Sequence, residues 1–170
     1  MNVPEQEMLL RLTAGLVEKY QKYISYLKSG QISAKDPFVI AIDRSDLDHP
    51  DAQIPLILKC LFAIGHQVLF LKASRSKPPR EGSSWSAREK IDKKSGNSVG
   101  MFMFKDSKYE GISAVIYSTR NILNSPRDVN QMGNNFVIVH NSFAKNPLED
   151  DFIRFGEVWR QEGEQLVKLK

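Results

Sequence analysis

Leu9, Leu12, Leu16, Tyr20, Tyr23 and Leu27 recur at three- and four-residue steps. That spacing lines one face of a 3.6-residue helix and predicts a long helix over residues 4–28. Pro4 stands where a first-turn proline costs no hydrogen bond, and Gly30 stands just past the end. Glu18, Lys19, Gln21 and Lys22 occupy the polar face. The pattern then changes. Pro37 to Asp43 is a nearly continuous apolar run, as a strand buried on both faces requires. Ile54, Ile57, Leu58, Leu61 and Phe62 return to helical spacing, with Gly65 expected to close that helix. His66 to Leu71 reads as the next strand, and strand, helix, strand in this order predicts a crossover unit with parallel strands. Apolar runs at 99–104, 112–118 and 135–140 follow, and a hairpin around Gly163 is expected at the end. The fold class this implies is α/β, a mixed sheet with flanking helices, in one domain spanning residues 1–170.

Residues 72–99 break the periodicity. Serine, proline and glycine mix with charge there, so a mobile insertion is expected, with a short helix near 86–94. Its charge is distinctive. Lys72, Arg75, Lys77, Arg80, Arg88, Lys90, Lys93 and Lys94 face three acids, Glu81, Glu89 and Asp92, which gives 8 − 3 = +5. The whole chain carries +4, so the remainder is 4 − 5 = −1. A basic segment of this kind suits an anionic partner, nucleic acid being the commonest; the alternative is a solvated loop kept soluble by charge. Trp85 lies between Arg80 and Arg88. It is placed either to stack on a nucleobase or to pin the segment to the domain body.

The rest of the composition narrows the class. The chain has 170 residues, 41% hydrophobic and 26% charged, as in an ordinary globular domain with its own core. No apolar run approaches the ~20 residues that span a bilayer, and residues 1–7 do not read as a signal peptide. Cys60 is the only cysteine, which forbids an internal disulfide and a cysteine-rich zinc module, and a cytoplasmic location is expected.

Candidate chemistry is sparse. Asp43, Asp46, Asp48 and Asp51 cluster around His49, with Asp43 at the carboxyl end of a predicted strand. A divalent cation needs such oxygens to converge, but the spacing fits no calcium loop, and aspartates also form turns and helix caps. The capping reading carries more weight. His140 ends another predicted strand, and an Asp43–His140 pair is suited to acid-base work if their strands are neighbours. The Walker pattern, G-x-G-x-x-G, G-x-S-x-G and HExxH are all absent.

Four stretches carry a family likeness: Leu12 to Tyr23, Pro37 to Ile42, Gly111 to Ser118, and Val139 to Leu148. Their order resembles the C-terminal part of a family of longer, uncharacterised bacterial proteins similar to the restriction-endonuclease-like, or PD-(D/E)XK, superfamily. The likeness covers most of the chain outside 72–99. It implies a half-domain that begins at a helix, without the strands that hold the acidic metal ligands and the lysine. Magnesium then enters only if a complete nuclease site is assembled, and no other cofactor is evident. Some nucleases of the superfamily carry a polar residue four before a tyrosine on this helix, and Lys19 and Tyr23 have that spacing.

These observations lead to an incomplete, non-catalytic nuclease-like domain that binds DNA or RNA, a partner chain or a second copy. Its contacts are expected from Lys19, Trp85 and the basic residues of 72–94. Two rivals stand beside it. One is a metal-dependent hydrolase built from Asp43, Asp46, Asp48, His49 and His140. The other is a pure protein-interaction module that completes its sheet with another chain.

Overall fold

The computed structural model describes residues 4–44, 54–72, 80–101, 103–118, 128 and 136–169. Helix α1 runs Glu5–Lys28, close to the range its apolar stripe predicts. Met8, Leu9, Leu12, Thr13, Leu16, Tyr20 and Tyr23 are its buried residues. Glu5 and Glu7 sit in the first turn, where carboxylates meet the positive end of the helix dipole. At the other end Gly30 takes φ +72°, and its N–H donates to the Leu27 carbonyl, so a glycine stops the helix as expected.

The central sheet has five strands: β1 (Val39–Asp43), β6 (Ala114–Ser118), β7 (Phe136–His140), β8 (Glu157–Glu162) and β9 (Gln165–Lys168), in the order β1-β6-β7-β8-β9. It is mixed: β1 and β6 are parallel, β6 and β7 antiparallel, β7 and β8 parallel, and β8 and β9 form the hairpin expected at Gly163. One face packs on α1 and on helix α2 (Leu56–Phe62) through Ile40, Ile42, Val115, Tyr117 and Val139. Alternation turns Ile138, His140 and Val158 to the other face, which Leu148 and the segment after β7 cover. Gly156 is required there. Its φ is +83°, and a Cβ would come 2.5 Å from the Phe136 carbonyl oxygen. Tyr23 stacks on Phe38 with ring centroids 4.0 Å apart, tying α1 to the start of β1.

Three expectations are corrected. First, the strand after α2 does not join β1. Strand β2 (Ile64–Lys72) pairs antiparallel with β3 (Arg80–Ala87) in a separate two-stranded ribbon, and the parallel neighbour of β1 is β6. Second, Ala63 rather than Gly65 takes the left-handed conformation that ends α2, with φ 58°. Gly65 is crowded rather than turned: a Cβ there would press on the Ser86 hydroxyl and lie 3.0 Å from the Ser86 carbonyl oxygen. Third, the helix expected near 86–94 is not formed. Those residues complete β3 and enter the hairpin of β4 (Lys90–Asp92) with β5 (Ser98–Gly100), which turns at Gly96 with φ +86°. The run at 99–104 divides between β5 and a 3-10 turn at Met103–Lys105. No helix among the described residues is long and apolar enough to cross a membrane.

Candidate functional site: the two ends of the sheet

Asp43 and His140 were expected to meet if their strands were neighbours. β6 lies between those strands, and direction separates them further. Asp43 pairs with Ser118 and Ser118 with Phe136, whereas His140 pairs with Ala114 and Ala114 with Val39. Asp43 therefore sits at one end of the sheet and His140 at the other, about 13 Å apart along the strands alone. Asp46, Asp48, His49 and Asp51 lie outside the described residues. Among the described residues, no group of three His, Cys, Asp or Glu side chains gathers as metal ligands would.

At the Asp43 end a cavity of about 180 Å³ opens between α1 and the edge strand β1. Arg11, Gly15 and Lys19 line one wall at four-residue steps on one helix face, and Asp43 and Arg44 line the other. Arg44 is fixed by its own backbone, whose N–H donates to the Ser118 carbonyl at 2.8 Å. Three cations against one carboxylate give this cleft a formal charge of 3 − 1 = +2. Lys19, a candidate from the sequence, lines this cleft. Arg11 and Arg44 were missed in the sequence, although the Arg11–Lys19 spacing already put those two on one helix face.

The basic segment is only partly free. Arg88 donates to Glu5 at 3.1 Å, and Lys94 donates to Glu7 at 2.9 Å. Both clasp the acidic first turn of α1, and the Lys94 contact holds the Glu7 carboxyl below its usual range. Lys90 and Lys93 are exposed. Lys72 and Arg80 are the last cross-strand pair of the β2–β3 ribbon, and Arg75 and Lys77 lie outside the described residues. Trp85 meets the domain body and keeps part of its ring exposed. The buried Lys59, itself paired with Glu5 at 2.7 Å, lies over the ring at 5.8 Å from its centroid, and Trp85 keeps 37% of its surface exposed.

At the His140 end a second cavity, of about 300 Å³, is lined by His140, Asn141, Asp150, Arg160, Gln161 and Glu162 among others. Arg160 donates to Asp150 at 2.6 Å and to Glu162 at 2.7 Å. His140 is 4% exposed, and its Nδ1 lies 4.0 Å from Asp150. Burial lowers the His140 pKa from its ordinary 6.5, Asp150 opposes that shift, Arg160 adds to it, and a bond to the Leu148 backbone opposes it. Asn141 is wholly engaged: its amide donates to the Ile112 carbonyl at 2.8 Å, and its side-chain oxygen accepts from the Phe143 N–H at 3.1 Å.

Comparison of the chain with family models, with curated proteins and with solved structures returns no match.

Proposed function

We propose that this protein is a non-catalytic, nuclease-like domain that contacts nucleic acid along the face formed by α1, the carboxyl end of β1 and the basic segment. One observation carries the reading: the +2 cleft lined by Arg11, Lys19 and Arg44, whose charges attract an anion. Phosphates supply most of the affinity of non-specific nucleic-acid binding, and positive groups bind them without any metal. Exposed Lys90 and Lys93 add to that charge, as do Lys72, Arg75, Lys77 and Arg80 by sequence.

The test is a binding isotherm on duplex and single-stranded DNA at several salt concentrations, with and without magnesium. Wild type binds with strong salt dependence and leaves the DNA uncut. Reversing the charge of Arg11 and Lys19 lowers the slope of log affinity against log salt by roughly 2, at about 0.9 per phosphate contact on a duplex. An unchanged slope sinks the reading. Cleavage with magnesium would transfer it to the hydrolase alternative, with Asp43, Asp46, Asp48 and His49 as the residues to test.

A second reading rests on β1, an edge strand among the described residues. Strand addition beside β1 by a partner chain would make the protein an interaction module. Gel filtration discriminates: a stable oligomer insensitive to both salt and magnesium favours it.

A further inference from the structure

After proline, glycine is the residue least suited to a helix interior, and Gly15 stands in the middle of α1. Elsewhere in the chain two reasons call for glycine. Gly30, Gly96, Gly156 and Gly163 take positive φ. A Cβ at Gly111 would crowd the Tyr20 hydroxyl and the Tyr23 ring, each at 3.1 Å. Gly15 has neither reason. It is helical without a positive φ, and an added Cβ would meet nothing within 4 Å outside its own helix backbone. What it borders is the cleft of about 180 Å³ between α1 and β1. Conformation and packing leave residue 15 free to be anything; the open space of the cleft does not.

The charges around that space define the occupant. Arg11 and Lys19 each stand four residues from Gly15, so they are its neighbours on the helix surface, one turn before and one turn after. They are about 12 Å apart along the axis, and both are exposed. The carboxylates beside them on α1 have other partners: Glu7 pairs with Lys94, and Glu18 with Lys22. The N–H of Gly15 is spent inside the helix, so donors to a guest come from Arg11 and Lys19, with Arg44 on the facing wall. Two cations straddling a gap without a side chain suit one compact anion. A phosphate group brings three or more acceptor oxygens on one centre, enough to meet several donors at once. Its charge of one to two matches the +2 of the cleft, and about 180 Å³ admits one such group rather than a larger ligand.

We propose that Gly15 marks a discrete phosphate subsite: one phosphate group lies against α1 at Gly15, held between the Arg11 and Lys19 side chains, and a side chain at position 15 excludes it. This rests on the nucleic-acid reading of the same cleft and sharpens it, from a general positive field to a single seat with a shape. Gly15 sets specificity by the room it leaves, and the two cations supply the affinity. Asp43, on the facing wall, is the one carboxylate of the cleft and opposes the anion.

The full chain is titrated with inorganic phosphate, and with chloride at matched ionic strength, while backbone amides are followed by NMR. The expected result is a saturable shift at Gly15 and Lys19 with phosphate and none with chloride. Gly15→Leu weakens phosphate and DNA roughly tenfold or more, as loss of hydrogen bonds between charged groups does. Gly15→Ala, a better helix former, raises the melting temperature by about 2–4 °C, so a stabler protein that binds less well separates the subsite from a folding defect. Asp43→Asn strengthens phosphate binding roughly two- to fivefold. A 5′-phosphorylated oligonucleotide is compared with its unphosphorylated twin: tighter binding of the first makes a strand end the source of the phosphate, and equal binding makes it an internal phosphodiester, each with the Gly15→Leu loss intact. Equal shifts with chloride would overturn the subsite. So would a Gly15→Leu protein that binds phosphate and DNA like wild type; if reversing Arg11 and Lys19 still abolished DNA binding, the nucleic-acid reading would stand without the seat. Phosphate binding that Gly15→Leu removes, with no affinity for DNA, would keep the subsite and sink that reading instead.

Discussion

The two ends of the central sheet are built from the same kind of strand and differ in sign. At the carboxyl end of β1, three cations face one carboxylate; at the carboxyl end of β7, one arginine is shared by two carboxylates. The difference comes from where the charges are anchored. Arg11 and Lys19 project from the exposed face of α1, and Asp43 is the one carboxylate that β1 sets against them. Arg160 and Glu162 sit two apart on one strand, so alternation places them on one side, and Asp150 closes on Arg160 from the preceding segment. Long side chains on a helix beside a strand end leave an open charged cleft, whereas charges on one strand tend to satisfy each other.

The largest expected effect breaks the cationic end alone. Arg11→Glu with Lys19→Glu lowers DNA affinity about 100-fold at moderate salt, roughly 2.7 kcal/mol, while thermal stability stays within about 0.5 kcal/mol because both side chains are exposed. Loss of folding would show that the cleft is structural rather than a contact surface.

Next in size is a change confined to the other end. Asn141→Ala removes the acceptor of the Phe143 N–H and the donor to the Ile112 carbonyl. It is expected to destabilise by about 1–3 kcal/mol in denaturant unfolding, with unchanged DNA affinity in the fraction that folds. Parallel loss of DNA binding by the folded fraction would mean that the two ends are coupled.

A smaller effect is pH dependence at the His140 end. Its folded pKa is lowered below 6.5, chiefly by burial, so protonation favours the unfolded chain. The contribution is fully present above pH 6.5 and is lost as pH falls through the folded value, with a slope of at most about 1.4 kcal/mol per pH unit. His140→Asn should flatten that part of the stability profile below 6.5. A profile identical to wild type would show that His140 is not the titrating group.

The smallest expected change is a control on the exposed face of α1. Glu18 and Lys22 form an i, i+4 pair at 3.1 Å with both side chains largely in water. Glu18→Gln should cost about 0.3–0.5 kcal/mol and alter neither end of the sheet. A larger loss would mean that this helix face carries a contact of its own.

The sequence by itself determined the elements whose signal is local. The stripe from Leu9 to Leu27 specified α1, because a 3.6-residue period needs no knowledge of the partner surface. The apolar runs specified β1, β6 and β7, and Gly163 marked the β8–β9 turn. Lys19 was legible as a surface cation and Trp85 as an aromatic among cations. The tertiary structure alone decided strand direction and neighbourhood. Periodicity reports which face is buried but not which strand lies beside it, and β1 pairs across more than seventy intervening residues with β6. So β2 left the sheet for a ribbon, Asp43 and His140 parted to opposite ends, and Arg88 and Lys94 paired with Glu5 and Glu7. Arg11, Arg44, Asp150, Arg160 and Gln161 acquired meaning only when packing brought distant segments to the same cavity. A side chain's chemistry is written in the sequence, but the field it feels is set by its neighbours in space.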